Sequence, residues 1–164
     1  MGNIEGIESK FSLPAHMSTL ASNKTVHYNY EILDEYETGI VLTGPEVKSC
    51  KLGQVNLKGS YVSIRSDGAW LVNCQISPYK PAHAHQTGYI PTRERRLLMR
   101  QDELRRFVGK SALPGLTVVP ISLYTKGSLV KVKIGIGRGK RKIDKRESIK
   151  KREVDRRLRR ITAN

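Results

Sequence analysis

The stretch Thr117-Val118-Val119-Pro120-Ile121-Ser122-Leu123-Tyr124-Thr125-Lys126-Gly127-Ser128-Leu129-Val130-Lys131-Val132-Lys133-Ile134-Gly135-Ile136-Gly137 decides the fold class. In its first half Val118, Pro120, Ser122 and Tyr124 alternate with Val119, Ile121 and Leu123; in its second, Val130, Val132, Ile134 and Ile136 alternate with Lys131 and Lys133. A period of two marks half-buried strands, and Lys126-Gly127 between the runs supplies the turn of an antiparallel hairpin. The pattern predicts one face toward a core and the other cationic.

Toward the N-terminus, Tyr61, Ser63 and Arg65 alternate with Val62 and Ile64 up to Asp67-Gly68, and Ala69–Val72 follows, a second hairpin with a strong turn signal. Val26, Tyr28, Tyr30 and Ile32 alternate with His27, Asn29 and Glu31, which predicts a strand, and Ile40-Val41-Leu42 after Gly39 reads as another short one. Thr43-Gly44-Pro45-Glu46 has the proline and acid of a helix start and Gly53 a helix stop, so Pro45–Leu52 is predicted helical. Pro78, Pro81, Gly88 and Pro91 make residues 77–91 a loop. Thr92 is placed to cap a helix from Arg93, and the apolar set Leu97, Leu98, Leu104 and Phe107, interrupted near Arg100-Gln101, predicts two short helices.

Strands joined mostly by short turns predict a mainly β protein: a small closed antiparallel β-barrel of the OB-fold type, with about three short helices and a basic C-terminal tail. The expected division is a flexible leader over residues 1–22, a barrel over 23–137 and a tail over 138–164. The leader reads equally as native or as preceding a later start at Met17.

Charge points to the partner. The chain of 164 residues is 38% hydrophobic with a formal net charge of +15, and residues 138–164 hold 13 of its 30 Lys+Arg against four acids, Asp144, Glu147, Glu153 and Asp155. A block so basic and so poor in apolar side chains repels itself and gains most from a polyanion that releases counterions on binding, which makes RNA the leading partner. No stretch has the ~18 apolar residues of a membrane span, and the N-terminus lacks the pattern of a secretory signal, so no membrane association and a cytoplasmic location are expected. Cys50 and Cys74 lack CxxC spacing and read as free buried thiols.

Enzyme motifs are missing or misplaced. Glu46-Val47-Lys48 has the Glu-x-Lys spacing of a metal-dependent nuclease, but that chemistry requires a strand and this triplet falls on a predicted helix. His83-Ala84-His85 lies in a proline-bounded loop without a third ligand nearby. Neither a metal nor a cofactor is expected, nor is catalysis.

Several runs, in order, resemble the tmRNA-binding protein of bacterial trans-translation, the small protein B family. They are Asn23-Lys24-Thr25-Val26-His27-Tyr28, Tyr36-Glu37-Thr38-Gly39-Ile40, Gly44-Pro45-Glu46-Val47-Lys48-Ser49, Asn56-Leu57 and Ser60-Tyr61-Val62. Further along come Pro91-Thr92-Arg93-Glu94-Arg95-Arg96-Leu97-Leu98, Leu123-Tyr124, Lys131-Val132-Lys133-Ile134 and Asp144-Lys145-Arg146. Two positions depart from the family pattern: Ile143 stands where His or Tyr is common, and Arg100 where His or Asn is common.

The resemblance implies an OB-fold barrel that grips the tRNA-like domain of tmRNA and accompanies it, as a monomer, to a ribosome stalled without a usable stop codon. A basic tail then enters the vacant mRNA channel against small-subunit RNA. By position in the motifs it implies RNA contacts at Asn23, Lys24, His27, Glu37, Lys48, Arg93, Arg95, Arg96, Leu98, Arg100, Lys131 and Lys133. It implies a ribosome-binding tail comprising Asp144, Lys145, Arg146, Lys150, Lys151 and Arg152. The competing reading is a ribosomal or mRNA-binding OB-fold protein without a rescue role.

The tail has its own physical reading. Val154, Leu158 and Ile161 fall on one side of a helical wheel, yet three apolar residues cannot offset the ordering entropy of the segment in water. The free tail is expected to be disordered and to fold on rRNA, where residues 144–161 as helix would span ~27 Å at ~1.5 Å per residue.

Overall fold

The computed structural model describes residues 17–162; residues 1–16 of the expected leader lie outside them. Nine strands are present among these: β1 (Met17–Ser22), β2 (Tyr30–Ile40), β3 (Val55–Asn56), β4 (Tyr61–Arg65), β5 (Gly68–Val72), β6 (Gln75–Ile76), β7 (Arg95–Leu98), β8 (Leu116–Lys126) and β9 (Leu129–Gly139). Helices α1 (Val26–Asn29), α2 (Gly44–Lys51), α3 (Gln101–Ser111) and α4 (Lys142–Thr162) join them, with a 3-10 turn at Lys80–His85.

The alternation holds in β9, where Val130, Val132, Ile134 and Ile136 are buried, but breaks in β8, where the register shift between Pro120 and Ser122 puts Leu123 rather than Tyr124 on the face of Val118 and Pro120. β8 and β9 pair antiparallel with Lys126 opposite Leu129 across a two-residue turn, and Leu123, Val132, Ile134 and Ile136 are buried on the inner face. Seven strands form one antiparallel sheet in the order β1-β8-β9-β2-β7-β5-β4, and β3 pairs with β6 apart from it. Its inner face closes over Leu57, Leu71 and Ile76, and Phe107 of α3 packs edge-on against Tyr36 with centroids 5.3 Å apart.

The closed barrel does not appear. β4 lies against β8, but the sheet's two edge strands, β1 and β4, share no hydrogen-bonded ladder. The curl comes from irregularities in the register between Thr19 and Ala21, Ile32 and Asp34, and Pro120 and Ser122, each a place where a bulged strand bends and twists. Pro120, which has no N–H to donate, sits at one of them. At Gly137 a Cβ would lie 2.9 Å from the Glu31 carbonyl oxygen, so only glycine lets β9 run this close to β2.

Other expectations change in detail. Residues 17–22, expected in the leader, form an edge strand on β8. The predicted strand from Val26 starts only at Tyr30: the Asn23 amide donates to the Ile121 carbonyl at 2.8 Å and its side chain to the Pro120 carbonyl at 3.1 Å, turning the chain into the single turn α1. β2 then runs unbroken through Thr38-Gly39 to Ile40, because Thr38 is buried and its hydroxyl donates to the Val132 carbonyl at 3.1 Å. Residues 93–107 hold one strand and one helix rather than two helices. Arg95 and Leu97 point inward and Arg96 and Leu98 outward, a period of two disguised by an arginine at a core position.

The tail is helical. Asp144 in its first turn accepts from the Arg141 amide at 3.2 Å, reaching back as the acid of a capping box does, and Ser148 donates to the Asp144 carbonyl at 2.9 Å. Lys140 joins this helix to the body, its ammonium donating to the His27 carbonyl of α1 at 2.8 Å and to the Ser148 hydroxyl of α4 at 3.0 Å. From Ile149 to Ile161 every residue is exposed, Val154, Leu158 and Ile161 included. No described helix is long and apolar enough to cross a membrane.

Candidate nucleic-acid interface

On the outer face of the sheet the side chains of β2 and β9 bring opposite charges together. Glu37 lies opposite Lys133 in register and Gly39 opposite Lys131. Glu37 accepts from the Lys126 ammonium at 3.0 Å and, in a very short bond, from the Tyr124 hydroxyl. The Tyr124 bond, aided by Lys126 and Lys131, holds the Glu37 carboxyl below its ordinary range despite partial burial, so it stays an ionised acceptor. Lys133 pairs with Glu35 at 3.5 Å. The face is therefore not the purely cationic stripe the alternation predicts: its half-buried lysines are matched by two carboxylates of β2.

Two grooves flank this charged seam and share Glu35. One, of about 630 Å³, is lined by Asn23, Lys24, His27, Ser122 and Lys133, among others. The other, of about 360 Å³, is lined by Glu37, Leu98, Met99, Arg100, Glu103 and Lys131 along with Tyr36 and Gly39. Seven residues that the sequence singles out thus collect on one side of the sheet with Leu98, itself 52% exposed. Carboxylates here can accept from base edges or a 2′-OH, ammoniums can pair with phosphates, and Arg100 offers a forked donor from the start of α3.

The remaining candidates lie elsewhere. Lys48 sits on α2 with its ammonium 5.4 Å from the Tyr79 ring centroid. Arg96 lies beside the β4–β5 turn, donating to the Asp67 carbonyl at 2.8 Å. On the tail, the Lys145 ammonium is 5.8 Å from the Tyr28 ring, and Arg146, Lys150, Lys151 and Arg152 are exposed.

Arg95 is a correction: it is fully buried and has no surface to offer RNA. Its guanidinium donates to Glu46 at 2.8 and 3.0 Å, and to the carbonyls of Cys74, Arg93 and Pro91 at 2.8 to 3.0 Å. Arg93 is drawn into the same node, its Nε 2.8 Å from Glu46 Oε1. Glu46 completes a capping box with Thr43 at the start of α2 and also accepts from the Tyr89 hydroxyl at 3.1 Å. Burial alone would push the Glu46 carboxyl up, but the bonds from Arg93, the Thr43 amide and Arg95 overcome it and hold the group at about 2. With its oxygens committed in this way, Glu46 cannot serve as a metal ligand, and the nuclease reading of Glu46-Val47-Lys48 fails. The node ties α2 to the loop before β7, and so places the strand whose end carries Leu98 and Arg100.

A family model described as SmpB protein matches residues 20–164. The chain belongs to the SmpB family. Among curated relatives of this SmpB chain, an SsrA-binding protein of Sulfurihydrogenibium sp. (strain YO3AOP1) is 46% identical over 139 residues, 85% of this chain and 90% of that one. Another, of Nostoc punctiforme, is 45% identical over 141 residues, 86% and 90% of the two chains. A solved chain described as "tmRNA-SmpB: a journey to the center of the bacterial ribosome" superposes with a TM-score of 0.62 at 38% identity, covering 79% of this chain and 93% of that one. The family accounts for the mainly β, antiparallel architecture with few helices.

No motif gives Glu35, Tyr124 or Lys140 a role at the site. Spacing alone places Glu35, two residues before Glu37, on the same strand face. The bonds of Tyr124 and Lys140 reach partners 87 and 113 positions away, and nothing local announces them.

Proposed function

We propose that this protein binds the tRNA-like domain of tmRNA and delivers it to stalled ribosomes for trans-translation, acting in the cytoplasm as one copy per RNA. The curled sheet serves as an OB-type platform. Its two grooves hold the folded RNA, with Lys24, Arg100, Lys131 and Lys133 neutralising phosphates and Glu37, Asn23 and His27 offering directional hydrogen bonds. Helix α4 is the ribosome-facing element, ordered against rRNA phosphates in the vacant mRNA channel, with Asp144, Lys145 and Arg146 at its root. A sheet body with a separate cationic helix divides selection from delivery.

The observation that carries this reading is the convergence of Asn23, Lys24, His27, Glu37, Leu98, Arg100, Lys131 and Lys133, scattered over 111 positions of sequence, onto two grooves with a common wall. Changing Asp144, Lys145 and Arg146 together to Ala tests the division of labour. Affinity for the tRNA-like domain is expected to stay near wild type while tagging of truncated products in reconstituted translation is lost. Tagging that survives would refute the role given to the tail.

A further inference from the structure

A third concavity, of about 710 Å³, opens between the β4–β5 turn, the end of β7 and helix α3. Two apolar side chains lie exposed on its walls, Leu98 at 52% on one side and Val108 of α3 at 38% on the other. Its rim carries guanidiniums. Arg105 on α3 is exposed, and Arg96 lies across the β4–β5 turn, spending one N–H on the Asp67 carbonyl. The turn between β4 and β5 is held by Gly68, whose φ of +134° is a backbone conformation that favours glycine. Arg65 is also on the rim, but its charge is met by Glu94 in a two-pronged pair at 2.7 Å.

We infer that this concavity is a further RNA subsite, taking an unstacked nucleotide whose base lies between Leu98 and Val108 and whose flanking phosphates meet Arg96 and Arg105. Two features choose RNA over an apolar peptide. The groove is continuous with the one holding Glu37 and Lys131, since Leu98 and Met99 line both. Its rim carries the guanidiniums of Arg96 and Arg105 against one carboxylate, Asp67, which accepts from the Trp70 indole N–H at 3.0 Å; forked donors suit phosphate oxygens, while a base needs only an apolar face to lie against. The inference rests on the RNA-binding function proposed above and extends its footprint around the start of α3.

The test is a salt titration of the full chain with the tRNA-like domain of tmRNA. Arg105→Ala is expected to flatten the plot of log affinity against log salt by about one unit, the loss of one phosphate contact, which a merely structural role would leave untouched. Val108→Asp, on an exposed helix surface, is expected to weaken binding by about tenfold without lowering the thermal midpoint. If Arg105→Ala and Val108→Asp both bind as wild type does while Lys131→Ala binds more weakly, the subsite is refuted and the platform stands. If Lys131→Ala is without effect as well, both readings fall.

Discussion

Replacing Glu46 with Gln keeps the shape of the side chain and removes its charge, leaving Arg95 buried without a counter-ion. The magnitude follows from the carboxyl's own titration. Glu46 is 1% exposed and its carboxyl is held at about 2 instead of the ordinary 4.5, a difference that corresponds to about 3 kcal/mol of stability. Breaking a buried ion pair from one side costs ~3–5 kcal/mol in other proteins, which agrees. A carboxyl held below its unfolded value contributes fully above about pH 4.5, and its contribution fades as pH falls through about 2, so that at pH 3 less than half of it remains. Urea unfolding of wild type and Glu46→Gln, followed by the single Trp70 at pH 7 and pH 3, reads both values. The expected gap is about 3 kcal/mol at pH 7 and less than half of that at pH 3. A gap under ~1 kcal/mol at pH 7, or one that does not shrink with acid, would refute the assignment of Glu46 as the ionised centre of the node.

Three further outcomes follow from the geometry. Lys140→Met keeps the aliphatic stem but loses both bonds of its ammonium, so amide exchange over residues 142–150 is expected to quicken ~10-fold while Lys140→Arg exchanges as wild type does; equal rates in all three would contradict the bracket between α1 and α4. Burial pushes the Cys50 thiol up to about 12 and the Cys74 thiol to about 11. A thiol reagent at pH 8 should therefore label neither in the native protein and both in urea, and native labelling within minutes would contradict the packing. Phe107→Ala empties a fully buried site between α3 and the sheet and is expected to cost ~3–5 kcal/mol in the same urea assay; a loss below ~1 kcal/mol would mean that α3 is not seated there.

The parts of the fold that sequence made legible are those where side-chain alternation and backbone pairing agree. Strand β9, the β4–β5 hairpin and helix α2 are in this class, each punctuated by a turn or cap that acts locally. What misled was a residue whose environment is set from far away. Arg95 looks like a surface cation until Glu46, 49 positions earlier, makes it a core residue, and with it the strand β7 reads as helix. Val26–Asn29 alternates like a strand, yet the tie from Asn23 to β8 bends it into a turn. The sheet curls without closing, and the curl depends on bulges near Ile32 and Pro120 that the side-chain alternation does not mark. The candidate interface shows the same split: Glu37, Lys131 and, by its spacing from Glu37, Glu35 are legible singly, whereas the bond from the Tyr124 hydroxyl to Glu37 emerges only when β2, β8 and β9 are brought together.

The central claim is that the two-groove face recognises one folded RNA, and a gel-shift titration of the full chain against the tRNA-like domain of tmRNA beside an ordinary elongator tRNA tests it most directly. Tighter binding to the tRNA-like domain is expected, with Lys131→Ala weakening that binding by ~1–3 kcal/mol. Equal affinity for both RNAs, unchanged by the substitution, would contradict it.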